Sequence, residues 1–137
     1  MAVPASGASS RRQARERALA LLYEADIKGA DLGAVLDALP VAPDPFTTAL
    51  LGAVREHRER IDGLISGSSI GWEVDRMAVV DRNVLRLAAA ELIGFPGTPS
   101  AVILNEAVDL AVGYSTEDSG RFVNGVLATV AGLVRGA

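Results

Sequence analysis

The sequence predicts an all-α fold of six to seven helices. Three observations predict it. Apolar residues recur three and four positions apart through most of the 137 residues, the spacing of helices that each bury one stripe. No period-two alternation runs long enough to make a useful strand. Glycine and proline clusters near 40–45, 67–71 and 94–99 punctuate the pattern, so the helices are joined by short loops.

Residues 1–8 read as a disordered tail and 9–137 as one domain. Ser9 or Ser10 caps a first helix that opens RRQARER and buries Ala14, Ala18, Leu21, Leu22 and Ala25, and Gly29 ends it. Asp31 caps a short second helix carrying Leu32, Val35, Leu36 and Leu39. Asp44 and Pro45 are N-cap and first residue of a third helix. Phe46, Leu50, Val54, Ile61, Leu64 and Ile65 face inward from it, with Arg55, Glu56, Arg58, Glu59 and Arg60 outward. The break at 66–71 divides two helical halves that share an interface. Trp72, Val74 and Met77 belong to a short helical turn, and a stronger helix runs from about Val79 to Ile93. Thr98 caps a helix that starts at Pro99 and stops at Gly113. Asp118 or Ser119 caps the last one, which reaches about Val134.

At this length a single domain supports its own core. The absence of cysteine excludes a disulfide scaffold, a thiol nucleophile and a Cys-ligated zinc site. No apolar run approaches the roughly 20 residues of a membrane span. The arginines precede an amphipathic helix without a small-residue cleavage site, unlike a secretory leader, so a cytoplasmic protein is expected. The only histidine, His57, lies among charges and reads as a surface residue. No triad, metal-ligand spacing or phosphate-binding glycine motif is present. No enzyme, metal or cofactor is expected.

Formal net charge is −4, which argues against a diffusely basic nucleic-acid binder. Yet Arg11, Arg12, Arg15 and Arg17 cluster with a single acid, Glu16. On a helix Arg11, Arg12 and Arg15 share one side. They oppose the helix dipole there, a placement that phosphate contacts would explain. The segment VDRNVLRLAAAEL puts Arg86 and Glu91 inside an apolar helix, where a partly buried ion pair or cap is expected. Two further segments are NEAVDLA at 105–111 and EDSGRFVNGVL at 117–127. Phe122 is core by its spacing, or else a platform for an unpaired base. Asn124 and Gly125 are poor helix formers, and a tight helix crossing at Gly125 with a polar tether from Asn124 would account for them.

These four blocks, in this order and spacing, resemble the NusB family from about Arg11 to Val134. The resemblance implies two small packed helical bundles. It implies binding of the boxA element of rRNA leader transcripts with NusE, a small-subunit ribosomal protein, inside an RNA polymerase antitermination complex. By position, Arg11, Arg12 and Arg15 match RNA-binding arginines. Asp118, Arg121 and Phe122 match a second RNA-facing edge. Asp81 matches an acidic position near the RNA and partner surface, and Tyr23 an aromatic near the same groove. Acids such as Asp81 and Asp118 would accept hydrogen bonds from base amino groups. Gly120, often larger and polar in the family, and Gln13, which interrupts the arginine run, depart from the pattern. So does the near-absence of lysine, with Lys28 alone. These departures imply reliance on the partner for tight binding.

Some family members self-associate through the same surface, so a homodimer stays open. The same module occurs fused to rRNA cytosine methyltransferases, for which 137 residues leave no space. A protein-protein adaptor without RNA contact is the rival reading. On the arginine reading, Arg12→Ala with Arg15→Ala is expected to weaken RNA binding without unfolding the chain.

Overall fold

The computed structural model describes residues 8–69 and 71–136. The tail expected over 1–8 lies outside them, apart from Ala8, which already belongs to the first helix. The helices are α1 (Ala8–Lys28), α2 (Leu32–Asp37), α3 (Pro45–Glu56), α4 (Arg58–Ser68), α5 (Val79–Gly94), α6 (Ser100–Tyr114) and α7 (Glu117–Arg135), with a 3-10 turn at Val74–Arg76. No strand occurs among the described residues, and no helix there is long and apolar enough to cross a membrane.

α5 organises the rest. Every residue from Asn83 to Leu92 is buried, and a helix buried around its whole circumference has to be covered on all sides. α1 and α3 pack on α5 and on each other, α6 and α7 cover it elsewhere, and α4 joins α5 to α7. Two small bundles therefore share α5, in agreement with the expected architecture.

The division between them falls earlier than expected. The third helix, read as continuous to Ile65, breaks at His57 (φ −108°, ψ 18°), which ends α3 and precedes α4. The break keeps α3 on α1 while α4 turns onto α7. Val54 and Ile61, both fully buried, are seven residues apart, so the apolar spacing runs across the break and hides it.

Local chemistry explains most boundaries. Asp31 accepts from the Ala34 amide, and Asp44 from those of Phe46 and Thr47 with Pro45 at the helix start. Gly29 ends α1 at φ +61°, a conformation open to glycine. Two expectations need correction at the other end of the chain. Thr116, not Asp118 or Ser119, caps α7, accepting from the Ser119 amide at 3.0 Å. α6 runs through Gly113 to Tyr114.

The tight crossing lies at Gly120 rather than Gly125. A Cβ on Gly120 would sit 2.5 Å from Val112 Cγ2, whereas one on Gly125 would meet nothing within 4 Å. Arg135 closes the far end. Its guanidinium donates to the carbonyls of Leu92, Phe95 and Thr98 and to Ser100 Oγ. It thereby satisfies carbonyls at the end of α5 that the helix leaves without partners.

Candidate nucleic-acid interface

The first turns of α1 do not present three equivalent arginines. Arg15 is only 5% exposed. Its Nε and Nη2 grip Glu91 of α5 at 2.9 and 2.6 Å, and Nη1 reaches Glu106 of α6 at 3.4 Å. This corrects the expectation that Arg15 faces phosphate alongside Arg12. The buried ion pairs expected of Arg86 and Glu91 are made, each to another helix: Glu91 takes Arg15, while Arg86 takes Asp62 at 2.9 and 3.2 Å and Asp26 at 3.5 Å. The physical reason is shared. A buried ion needs an opposite charge with matching geometry, and helical spacing separates Arg86 from Glu91 by more than a turn.

Arg12 is different. Its side chain is 52% exposed, and Nη2 meets Glu106 and Asp109, both at 2.7 Å. Arg12 and Arg15 stand three apart on α1, and Glu106 and Asp109 three apart on α6. Two i,i+3 pairs of opposite sign therefore face each other. Arg11 stacks its guanidinium over the Phe46 ring at 4.0 Å, and Phe46 meets Phe95 edge-on at 5.5 Å. Arg11 makes no salt bridge among the described residues. Its cation rests on an aromatic face and stays exposed.

Beside Arg12 lies a cleft of about 370 Å³ that runs to Tyr114 at the end of α6. A second cleft, of about 300 Å³, is lined by Leu19, Ala20 and Tyr23 of α1, Val80 of α5, Tyr114 and Glu16. Tyr23 is 42% and Tyr114 56% exposed. The Tyr114 hydroxyl donates to Glu16 Oε2 at 3.1 Å, and that bond pushes its phenol above the ordinary 10.0. Tyr114, read from sequence as loop, thus joins Tyr23 at the surface. Its signal was available: it stands four residues past Leu110, on the next turn of the same helix.

α7 supplies the other edge. Asp118 and Arg121, both exposed, pair with each other across one turn. Phe122 is half-buried and packs against the core, the structural alternative weighed for it. Asp81 is buried in the first turn of α5, and its Oδ1 has no hydrogen-bond partner among the described residues. That oxygen is closed off from solvent, so it is not the atom a base amino group would reach.

The two candidate edges are neighbours across α6. Asp109 borders both the Arg12 cleft and a groove of about 600 Å³ that contains Arg121. Sequence reading named neither Glu106 nor Asp109 as part of the site.

A helical protein of two bundles on one shared helix, with arginines, tyrosines and carboxylates gathered on the outer side of α1, α6 and α7, belongs among small binding modules. The comparisons give the family. Residues 12–132 match the NusB family model. A transcription antitermination protein NusB from Streptomyces griseus is 45% identical over 130 residues, covering 88% of this chain and 90% of that one. The solved NusB of T. maritima superimposes with a TM-score of 0.78 at 34% identity, covering 88% and 89%. A crystal structure of antitermination factors NusB and NusE in complex with dsRNA gives 0.79 at 30%, covering 93% of this chain and 99% of that one. The chain belongs to the NusB family of transcription antitermination proteins.

Proposed function

We propose that this chain binds boxA RNA of rRNA leader transcripts together with NusE, and that the pair acts in the cytoplasm within an RNA polymerase antitermination complex. One observation carries the reading. Exposed Arg12 and exposed Arg121 flank the same stretch of α6, with Asp109 between them. A strand crossing α6 would meet a guanidinium on each side and the two tyrosines beside the first. The relative solved with NusE and dsRNA supports the partner and the ligand class.

Arginines hold the backbone, and unpaired bases expose their edges and faces. An A-form duplex closes its major-groove base edges in a deep, narrow groove and is read mostly by shape, so sequence preference calls for an unpaired strand. Arg11 and Arg12 are the phosphate contacts of the first edge and Arg121 of the second. Tyr23 and Tyr114 are platforms for stacking, worth about 1 to 3 kcal/mol per base. Arg15 serves indirectly, by fixing α1 on α5 and α6.

The test is a binding titration of single-stranded boxA RNA, its duplex and a permuted strand, with and without NusE, over a range of salt. Preferential binding of the single strand, weakening steeply with salt, is expected. NusE binding with no RNA signal at any salt would establish the adaptor instead. Size-exclusion chromatography of the free chain decides whether the same surface closes a homodimer.

A further inference from the structure

The groove between α6 and α7 holds polar side chains that neither packing nor the phosphate contacts use. Asn105 of α6 and Asn124 of α7 both line it, both are exposed, and neither makes a side-chain hydrogen bond among the described residues. Asparagine is a poorer helix former than alanine, so two such positions gain nothing from the helices themselves. Asn83 shows the contrasting case. It is buried, and its Nδ2 donates to Asp26 and to the Val79 carbonyl, both at 2.9 Å. Asn83 is structural glue, and the tether expected of Asn124 is not made.

The groove's chemistry favours bases over phosphates. Its charged lining offers a phosphate one donor, Arg121, beside the carboxylates of Asp109 and Glu117. Glu117, exposed and in no salt bridge among the described residues, is the acceptor for an exocyclic amino group. A carboxamide adds one acceptor beside one donor, the pattern that pairs bidentately with an adenine edge. Gly120 brings the two helices to close approach on Val112, which sets the α6 and α7 asparagines on one groove.

Resting on the RNA-binding reading, we propose that Asn105 and Asn124 are specificity-determining residues. They read base edges of the unpaired strand in the α6/α7 groove, while Arg12 and Arg121 hold its phosphates at the flanks.

The experiment compares boxA RNA with a permuted strand of the same composition, in the presence of NusE. The proteins are the unmutated chain, Asn105→Ala, Asn124→Ala and the double variant. Circular dichroism monitors the fold, which exposed Asn→Ala changes leave intact. The double variant is expected to lose about tenfold or more of the preference for boxA. Its affinity for the permuted strand and its salt slope should stay as they were. A double variant that keeps the full preference overturns the proposal. So does one that weakens both RNAs equally, because the lost contacts then belong to the backbone. If the unmutated chain binds neither strand, the RNA-binding reading itself fails and takes this inference with it, an outcome distinct from the other two.

Discussion

The two ends of α1 are both built from guanidinium and carboxylate groups, and they do opposite things. At its start, Arg12 and Arg15 meet Glu91, Glu106 and Asp109. Near its end, Asp26 takes Arg82 and Arg86, and Asp62 takes Arg86 and Arg58. With Arg11 the start carries as many arginines as carboxylates, while the end carries one arginine more than its carboxylates. Net charge alone would send an anion to the end. Geometry reverses that choice. Arg82 is bidentate on Asp26 and also reaches the Asp75 carbonyl, while Arg86 is bidentate on Asp62 with its side chain 8% exposed. The donors of Arg82 and Arg86 already have acceptors inside the protein, which leaves Arg58, 47% exposed on Asp62, as the open one of the three. At the start, Arg12 is half exposed and Arg11 rests on a ring. Accessible donors make an anion site, and the local charge sum does not.

The largest test of this contrast is Arg15→Ala. If Arg15 is structural, its removal leaves Glu91, 1% exposed, as an unpaired buried carboxylate. A loss of about 3–5 kcal/mol is expected, read from urea denaturation. The double substitution with Arg12 therefore cannot serve as a clean binding mutant, contrary to the reading from sequence. A stable Arg15→Ala protein with weakened RNA binding would place Arg15 back among the phosphate contacts.

Next in size is Asp26→Asn, expected to cost about 1.5–3 kcal/mol at neutral pH, since it weakens charge-assisted bonds to Arg82 and Arg86. Arg82, then Asn83 and the nearby charges, hold the Asp26 carboxyl below its ordinary 3.8. A depressed value in the folded state means the stabilisation is complete above about pH 4 and is lost as pH falls through the folded value. Unfolding free energy measured between pH 7 and pH 3 should fall less steeply in Asp26→Asn than in the parent. Equal slopes would show that another carboxylate governs the acid limb.

Much of this was legible in the sequence, and the failures have a common cause. Caps at Asp31 and Asp44 are local, so they could be read from neighbouring residues. The break at His57 could not, because Val54 and Ile61 keep a helical repeat across it. The arginine-rich start was visible, but the burial of Arg15 depends on Glu91 and Glu106, 76 and 91 residues away. Periodicity shows which side of a helix is apolar. It does not show which neighbour fills the gap beside a charge on the edge of that side. Gly120 was noticed as a departure, yet only the packing of α7 on Val112 gives it a reason.

The smaller effects concern binding. Arg12→Ala should lower affinity for boxA and permuted RNA alike, by about tenfold, and reduce the salt slope by about 1. Stability should hardly change, because an exposed ion pair contributes little. A strand phosphate can reach Arg12 only by displacing or sharing the guanidinium with Glu106 and Asp109. Asp109 is the more exposed of the two, at 58% against 12%, so it can be neutralised without disturbing Arg15. Asp109→Asn keeps the shape and removes one competing charge from both clefts that it borders. Affinity should therefore rise, by about two- to fivefold at low salt, and the gain should shrink as salt screens the carboxylate. Glu106→Gln would mix this gain with a weakened hold on Arg15, so it is the poorer probe. If Asp109→Asn binds RNA more weakly at every salt concentration, Asp109 accepts a bond from the strand itself, and the start of α1 is not a phosphate site held in check by its own carboxylates.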